Sequence, residues 1–499
     1  MNFIEDVLER FPAAQPALLA IDRGGTRRVW HFGELIAMSA GVSGAFAARG
    51  VARGDVVMTL AGNRIEWVLT LLACWRMGAV ALPCNTQLRR ADLALRVRAA
   101  APRLCVGEEG LLNELPDGVE TMTMAELEAV LDEDRPQEPP ADVAELHPED
   151  PALIVFTSGT TGEPRGALHP ARYLVGQRAQ AEHWLGARKG DLVWCTTATG
   201  WSKSARNVFV APWLCGAAAM ISDARFEAAD RLDLIEREQV SVLCQAPTEY
   251  RMLAKRVALR PLPHLHRMVS AGEALNPEVI EAFREATALD IHDGYGQTET
   301  GHVTGNLVGE AVRYGSMGRP LPGFETRIAA GGGGERNAET GEPGELQVRV
   351  PTCPTFFTRY LDEDRAATAA RLVGGEWWPT GDIVRSDEDG CLWYEGRDDD
   401  LILSAGYRIG PFEVESALLT HPAVAEAAAV PELDPERGAV VRAVVVLRDG
   451  QASPELAREL QDHVKAVTAP YKFPRVVDFA DELPKTSSGK IKRAALRRA

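Results

Sequence analysis

The 499-residue chain has no CxxC pair among its eight cysteines, and its basic residues are outnumbered by its acidic ones. It also has no apolar run long enough to cross a bilayer. The cysteines (Cys74, Cys84, Cys105, Cys195, Cys215, Cys244, Cys353, Cys391) are scattered. Neither a disulfide framework nor a zinc site has the spacing it needs, so buried reduced thiols are expected. Lys+Arg is 54 against Asp+Glu 71, a net charge of −17. That balance excludes a general nucleic-acid binder, whose affinity rests on neutralising phosphates. The longest uncharged stretch, Asn207 to Ser222, is 16 residues and contains Pro212, short of the roughly 20 apolar residues that span a membrane. The start, MNFIEDVLERFPAAQ, has no basic n-region and no apolar h-region. The expectation is a soluble cytoplasmic protein without integral membrane association.

At 45% hydrophobic and 25% charged the usage is that of a globular protein, and at this length more than one domain is expected. From about residue 30, apolar β-type runs alternate with amphipathic helical patterns: a helix over 34–48, a run over 56–60, a helix over 64–77 and a run over 79–82. The rhythm predicts parallel βα units. Residues 132–151, DEDRPQEPPADVAELHPEDP, read as an exposed connector. The rhythm resumes with runs at 153–156, 193–196, 242–244, 268–270 and 289–292. After about Tyr314 the texture becomes Gly-rich and strand-like, and GGGGERNAETGEPGE (331–345) reads as a surface turn. Past GRDDD (396–400) a last unit has its own strands, 423–430 and 439–447, and a helix over 454–467. The predicted class is α/β: a large N-terminal domain (1–397) of βα-type subdomains plus a β-rich subdomain, a hinge at 398–400, and a small mobile α+β C-terminal domain (401–499).

The most informative segment is IVFTSGTTGEPRGALHP, 154–170. A buried strand runs into Thr157, Ser158, Gly159, Thr160, Thr161 and Gly162, followed by Arg165. Small hydroxyl residues between glycines let backbone N–H and side-chain OH groups converge on an anion, so the chemistry is that of a phosphate cradle. It is not a Walker A loop, because Pro164 and Arg165 stand where that pattern needs Gly and Lys.

TSGTTGxPxG is similar to the signature of the adenylate-forming superfamily: acyl-CoA synthetases, aryl-CoA ligases, peptide-synthetase adenylation domains and luciferases. The resemblance continues through AGEA (271–274), DGYGQTET (293–300), TGD (380–382), GRDDDLILSAGYRIGPFEVE (396–415) and PKTSSGKIKR (484–493), covering nearly the whole chain. TGWSKSARNVFVAPWLCGA (199–217), QAPTEYRML (245–253) and DPERGAVVRAVVVL (434–447) make it look most like the medium-chain acyl-CoA synthetases. The resemblance implies attack of a carboxylate on the α-phosphorus of ATP, giving acyl-AMP and pyrophosphate, and then transfer of the acyl group to the CoA thiol. The substrates are thus a small carboxylic acid, ATP and CoA.

The same resemblance implies roles for individual residues. Glu299 is expected to hold Mg2+ with Thr298 on phosphate, since a carboxylate is a suitable hard ligand for a cation shared with phosphate oxygens. Gly272, Glu273 and Ala274, with Asp293, Gly294 and Tyr295, are expected to line the adenine slot, Tyr295 by stacking, and Gly296 and Gln297 to complete the nucleotide contacts. Asp382, assisted by Arg397, is the expected partner of the ribose hydroxyls. Lys490 is expected to swing in and bridge carboxylate and α-phosphate. Asp399 matches the hinge. Gly406, Tyr407 and Arg408 are expected to face the CoA arm, with Arg437, Lys472 and Arg475 as weaker nucleotide contacts. Arg165 departs from the family's usual Lys and offers a planar fork instead of a point charge.

Acetate-specific relatives carry a Trp at the position of Gly296, so Gly there is expected to extend the acyl pocket beyond two or three carbons, with Trp201 as an apolar wall. A medium-chain and an aryl acid both remain open. Loading of a carrier-protein phosphopantetheine, a luciferase-like oxygenase and a non-catalytic acyl or nucleotide sensor are the rival readings, and a homodimer is the default assembly. The last fifteen residues hold Lys485, Lys490, Lys492, Arg493, Arg497 and Arg498 with no acid, local cations suited to polyanionic substrates on an otherwise acidic chain.

Overall fold

The computed structural model describes residues 1–132, 138–157, 164–273, 275–330, 336–397, 400–404, 407–434, 438–448, 450–485 and 491–497. Two large sheets dominate. In the first, Ile291–Gln297, Arg267–Ala271, Val242–Gln245, Leu192–Cys195, Ala218–Ser222 and Pro16–Ile21 lie side by side in parallel. Antiparallel strands Gly301–Gly305 and Arg27–His31 flank them, and Arg319–Pro320 adds an edge. In the second sheet, Pro151–Phe156, Val80–Cys84, Val56–Leu60, Leu104–Gly107 and Thr121–Thr123 run parallel, and Gly166–Pro170 and Arg359–Tyr360 close one side antiparallel. The alternating pattern predicted such units, because parallel neighbours need helical crossovers.

The helix Ile65–Met77 shows why the two sheets hold together. Eleven of its 13 residues are buried, among them Trp67, Leu71, Leu72 and Trp75, so the helix is sandwiched rather than half-exposed. Each fully buried large side chain contributes about 1.5–3 kcal/mol of transfer free energy. Trp67 and Trp75 pack on Phe209 of the first sheet's layer at 5.3 and 6.0 Å. Glu66 is carried inside with them. Burial raises its pKa, and Arg64 lies 3.2 Å away.

A third, all-antiparallel sheet comprises Arg336–Asn337, Thr326–Ala330, Gly344–Arg349, Trp377–Ser386 and Leu392–Arg397, the strand-rich texture foreseen after Tyr314. The fourth, in the small C-terminal domain, contains Ile402–Ser404, Tyr407–Ile409, Val424–Asp434, Gly438–Leu447 and Val476–Phe479. The helices Pro411–Leu419 and Pro454–Val467 cover a core of its own built from Ile409, Val414, Leu418, Val441, Val445 and Leu460.

Two expectations need correction. The stretch 132–151 is more than an exposed connector: Leu146 is buried, and the carbonyls of Ala144 and Leu146 accept from Asn2 and the N-terminal ammonium. The run placed at 289–292 is the strand Ile291–Gln297, which carries the DGYGQ motif within it. No helix among the described residues is long and apolar enough to cross a membrane. All eight cysteines are free thiols, seven of them buried.

Candidate active site

The two large sheets meet near the carboxyl ends of their parallel strands, the usual place for a ligand in an open α/β sheet. The loop after Leu192–Cys195 ties them together. Thr199 Oγ1 donates to Ala61 O at 2.7 Å, and Asn85 Nδ2 donates to Thr199 O at 3.1 Å. Gly200 has φ +85, and a Cβ there would lie 2.3 Å from Asn85 N, so only glycine fits this seam. Trp201 follows, half-buried.

Pro151–Phe156 and Gly166–Pro170 form an antiparallel pair closed by Thr157 N to Arg165 O at 2.8 Å and Arg165 N to Thr157 Oγ1 at 3.3 Å. The two strands are the arms of a hairpin, and Arg165 leads into a strand and not into a helix. Ser158, Gly159, Thr160, Thr161 and Gly162 lie outside the described residues. Arg165 is held elsewhere: its guanidinium bonds Asp362 through Nε at 3.1 Å and Nη2 at 2.9 Å, pairs with Glu363 at 2.5 Å, and lies 3.9 Å from the centre of the Tyr360 ring. Burial works against its charge, but the two carboxylates outweigh burial and raise its pKa. Tyr360 in turn donates to Glu299 Oε1 at 2.5 Å. A chain of contacts thus runs from the hairpin to Glu299.

The carboxylate of Asp382 is the best-defined polar centre. It is buried, accepts from Tyr295 Oη at 2.5 Å and Gln297 Nε2 at 2.7 Å, and has Arg397 Nη1 at 3.5 Å. Gln297 and Arg397 also bond Thr380 O, at 2.8 and 3.0 Å. Asp382 and Arg397 face each other as register partners on neighbouring strands. Gly381, at φ +70 with Arg397 Nη2 3.0 Å from where its Cβ would be, makes the turn of the chain compatible with that contact. The structure thus brings Tyr295, Gln297, Asp382 and Arg397 together, with half-buried Thr298 and Glu299 on the turn that follows. Burial, followed by the Asp382 charge, raises the pKa of Tyr295, so its phenol stays a donor.

Asp293 ties a loop to its strand. It is buried and accepts from Leu275 N at 3.2 Å and Gly294 N at 3.0 Å, which pins the 272–275 loop to the strand. Burial raises its pKa to about 7, against these two bonds and the Lys203 charge. Glu273 is engaged by Arg251 Nη2 at 2.7 Å and Thr248 Oγ1 at 3.3 Å. Lys203, not singled out in the sequence, donates to Ala271 O and sits 3.1 Å from where a Gly272 Cβ would be. Its only signal was a lysine two residues after Trp201. Ala274 lies outside the described residues.

Gly296 has a packing reason of its own. A Cβ there would fall 2.0 Å from Gly301 O and 2.7 Å from His302 Cα. The glycine is demanded by the close approach of the neighbouring strand at a register shift.

On the small domain, Leu403 and Arg408 are register partners, as are Ser404 and Tyr407. The side chains of Tyr407 and Arg408, and Asp399, Gly406, Arg437 and Lys490, lie outside the described residues. Lys472 pairs with Glu413, and Arg475 lies over Phe473 at 5.0 Å. Among the described residues no cluster of three or more His, Cys, Asp or Glu could hold a metal. One hard carboxylate, Glu299, does fit Mg2+, which takes one or two protein carboxylates and completes its shell with phosphate oxygens and water.

The fold is that of the adenylate-forming ligases. The chain belongs to the AMP-binding enzyme family: residues 4–361 match the AMP-binding enzyme domain and residues 413–490 the AMP-binding enzyme C-terminal domain. It is 38% identical to the mitochondrial acyl-coenzyme A synthetase ACSM3 of Mus musculus, over 100% of this chain and 90% of that protein. It is 37% identical to the uncharacterized acyl–CoA ligase YtcI of Bacillus subtilis (strain 168), over 98% and 94%. The benzoate CoA ligase of Burkholderia xenovorans LB400 superposes with a TM-score of 0.88 at 28% identity, covering 100% of both chains.

Proposed function

We propose that the protein is an AMP-forming acid:CoA ligase that activates a medium-chain or aryl carboxylic acid as its acyl-adenylate, releases pyrophosphate, and passes the acyl group to CoA. The observation that carries this reading is the Asp382 carboxylate, fixed by Tyr295, Gln297 and Arg397 beside the Thr298–Glu299 turn. A buried carboxylate oriented by three donors suits the two hydroxyls of a ribose, and the next turn then meets the phosphates. Pairwise identity near 38% to an acyl-coenzyme A synthetase over the full chain supports the same activity.

The first half-reaction brings a carboxylate to a polyanion, so positioning and charge neutralisation carry it. Asp382 holds the ribose, Thr298 contacts phosphate, and the hydroxyl- and glycine-rich segment 157–162 offers its N–H and O–H donors to the phosphates. Glu299 would hold Mg2+, which when bound neutralises phosphate charge. Lys490 bridges the reacting carboxylate and the α-phosphate. In the second half-reaction the C-terminal domain (401–499) turns about Asp399, and Gly406, Tyr407 and Arg408 line the path of the CoA arm, with Arg437 on its nucleotide. Arg165, already paired with two acids, acts as a brace for the hairpin. The setting is the cytoplasm, and the assembly a homodimer.

The test is a separation of half-reactions. Lys490→Ala is expected to lower acid-dependent pyrophosphate release by about a hundredfold or more, the loss typical of removing one transition-state charge contact. Thioester formation from supplied acyl-AMP and CoA is expected to persist. Equal loss of both steps contradicts the role of Lys490.

A further inference from the structure

The mechanism leaves a buried polar cluster unused beside the Ile291–Gln297 strand. Arg206 is only 3% exposed, yet its Nε and Nη1 have no hydrogen-bond partner. Near it, His169, His302 and Tyr173 are each at most 1% exposed; all four ring nitrogens lack partners, and the Tyr173 phenol interacts with Arg206 itself. Each imidazole packs against an aromatic ring at a tilt, His302 on Trp184 at 3.8 Å and 31°, His169 on Tyr173 at 4.2 Å and 41°. These contacts hold the rings without satisfying their nitrogens. Burial, and then the Arg206 charge, depress both histidines, His169 to about 3. They are therefore neutral and do not add charge to the guanidinium's own.

The cluster borders the site. His302 is the register partner of Gly296, and its Nε2 lies 2.6 Å from where a Gly294 Cβ would be. Arg206 begins a π-helical segment, Arg206–Val210, five residues after Trp201. Trp184 sits in a second one, Ala181–Leu185, and Gln180 Nε2 to Asn207 Oδ1 at 3.0 Å joins the two. Such segments are rare and often mark functional sites.

A buried guanidinium without a counter-charge is strongly unfavourable, and its planar fork matches a carboxylate. We propose that Arg206, with His169, Tyr173 and His302, forms the far end of the acyl site, and that the acid this enzyme activates carries a second carboxylate at its distal end. One anion neutralises Arg206, and the neutral imidazoles and the phenol supply further donors. A neutral hydroxyl would leave the charge standing. This inference rests on the acid:CoA ligase reading.

The test is ATP–pyrophosphate exchange with a length-matched series of straight-chain dicarboxylates and monocarboxylates, on the wild type, Arg206→Lys and Arg206→Leu. The wild type is expected to favour a dicarboxylate by about tenfold or more in kcat/KM, Arg206→Lys to keep part of that preference, and Arg206→Leu to reverse it. Arg206→Leu is also expected to melt no lower than the wild type, since it removes a lone buried charge. A purely structural Arg206 would give the opposite shift and leave the preference alone. Should Arg206→Leu fail to fold, the wild-type ratio and Arg206→Lys decide. Exchange with monocarboxylates as good as with any dicarboxylate overturns the inference and leaves the ligase reading intact. Exchange with no acid overturns both.

Discussion

The hydroxyl of Tyr295 donates to Oδ2 of Asp382 at 2.5 Å, joining the last parallel strand of the large sheet to the strand Trp377–Ser386 of the β-rich sheet. The bond orients a buried carboxylate before any nucleotide arrives. Tyr295→Phe keeps the ring in its packing against Met317 and Ile328 and removes that one donor. A hydrogen bond to a charged group contributes about 1.5–3 kcal/mol, so the KM for ATP is expected to rise about tenfold or somewhat more with little change in the KM for CoA. Steady-state pyrophosphate release checks this, and an unchanged KM for ATP would mean that Asp382 is positioned without the phenol.

Gly296 gives a prediction opposite to the one its sequence context suggests. Because the Gly301 carbonyl occupies the space a Cβ needs, at 2.0 Å, Gly296→Ala forces the two strands apart. The cost is expected to be about 1–3 kcal/mol of stability, measured by denaturant unfolding, with the shape of the chain-length profile unaltered. A stable variant whose preference moves to shorter acids would show that Gly296 borders the acyl chain after all.

The buried Asp293 gives a pH dependence of unusual sign. Its carboxyl rises from 3.8 to about 7 on folding. Between those values the native state holds a proton that the unfolded chain has lost, so this group's contribution to stability falls as pH rises from about 4 to about 7 and levels off above. Asp293→Asn cannot ionise, and is expected to remove that slope. Melting temperatures of both proteins across this range test it, and parallel curves would contradict it.

Much of this was legible in the sequence, and the reasons are local. The run at 56–60 and the helix at 454–467 are observed as Val56–Leu60 and Pro454–Val467, because periodicity and turn residues fix such elements from nearby chain. The strands Pro16–Ile21 and Arg27–His31 were not foreseen, since the first pairs with Ala218–Ser222, a partner about 200 residues away that no local pattern reveals. The site divides the same way. Asp382, Tyr295 and Gln297 were marked by their motifs, whereas the Arg165 contacts to Asp362, Glu363 and Tyr360 depend on tertiary structure. Arg206 lay unmarked inside a quoted motif, because a buried and a surface arginine look alike in sequence.

The most direct test of the whole account is a product balance. Purified protein with ATP, Mg2+ and an accepted carboxylic acid is expected to release pyrophosphate without CoA in amounts comparable to the enzyme. On adding CoA, AMP, pyrophosphate and acyl-CoA are expected to appear in equal amounts over many turnovers. Formation of ADP and phosphate, or acyl transfer only to a carrier-protein phosphopantetheine with none to CoA, would contradict it.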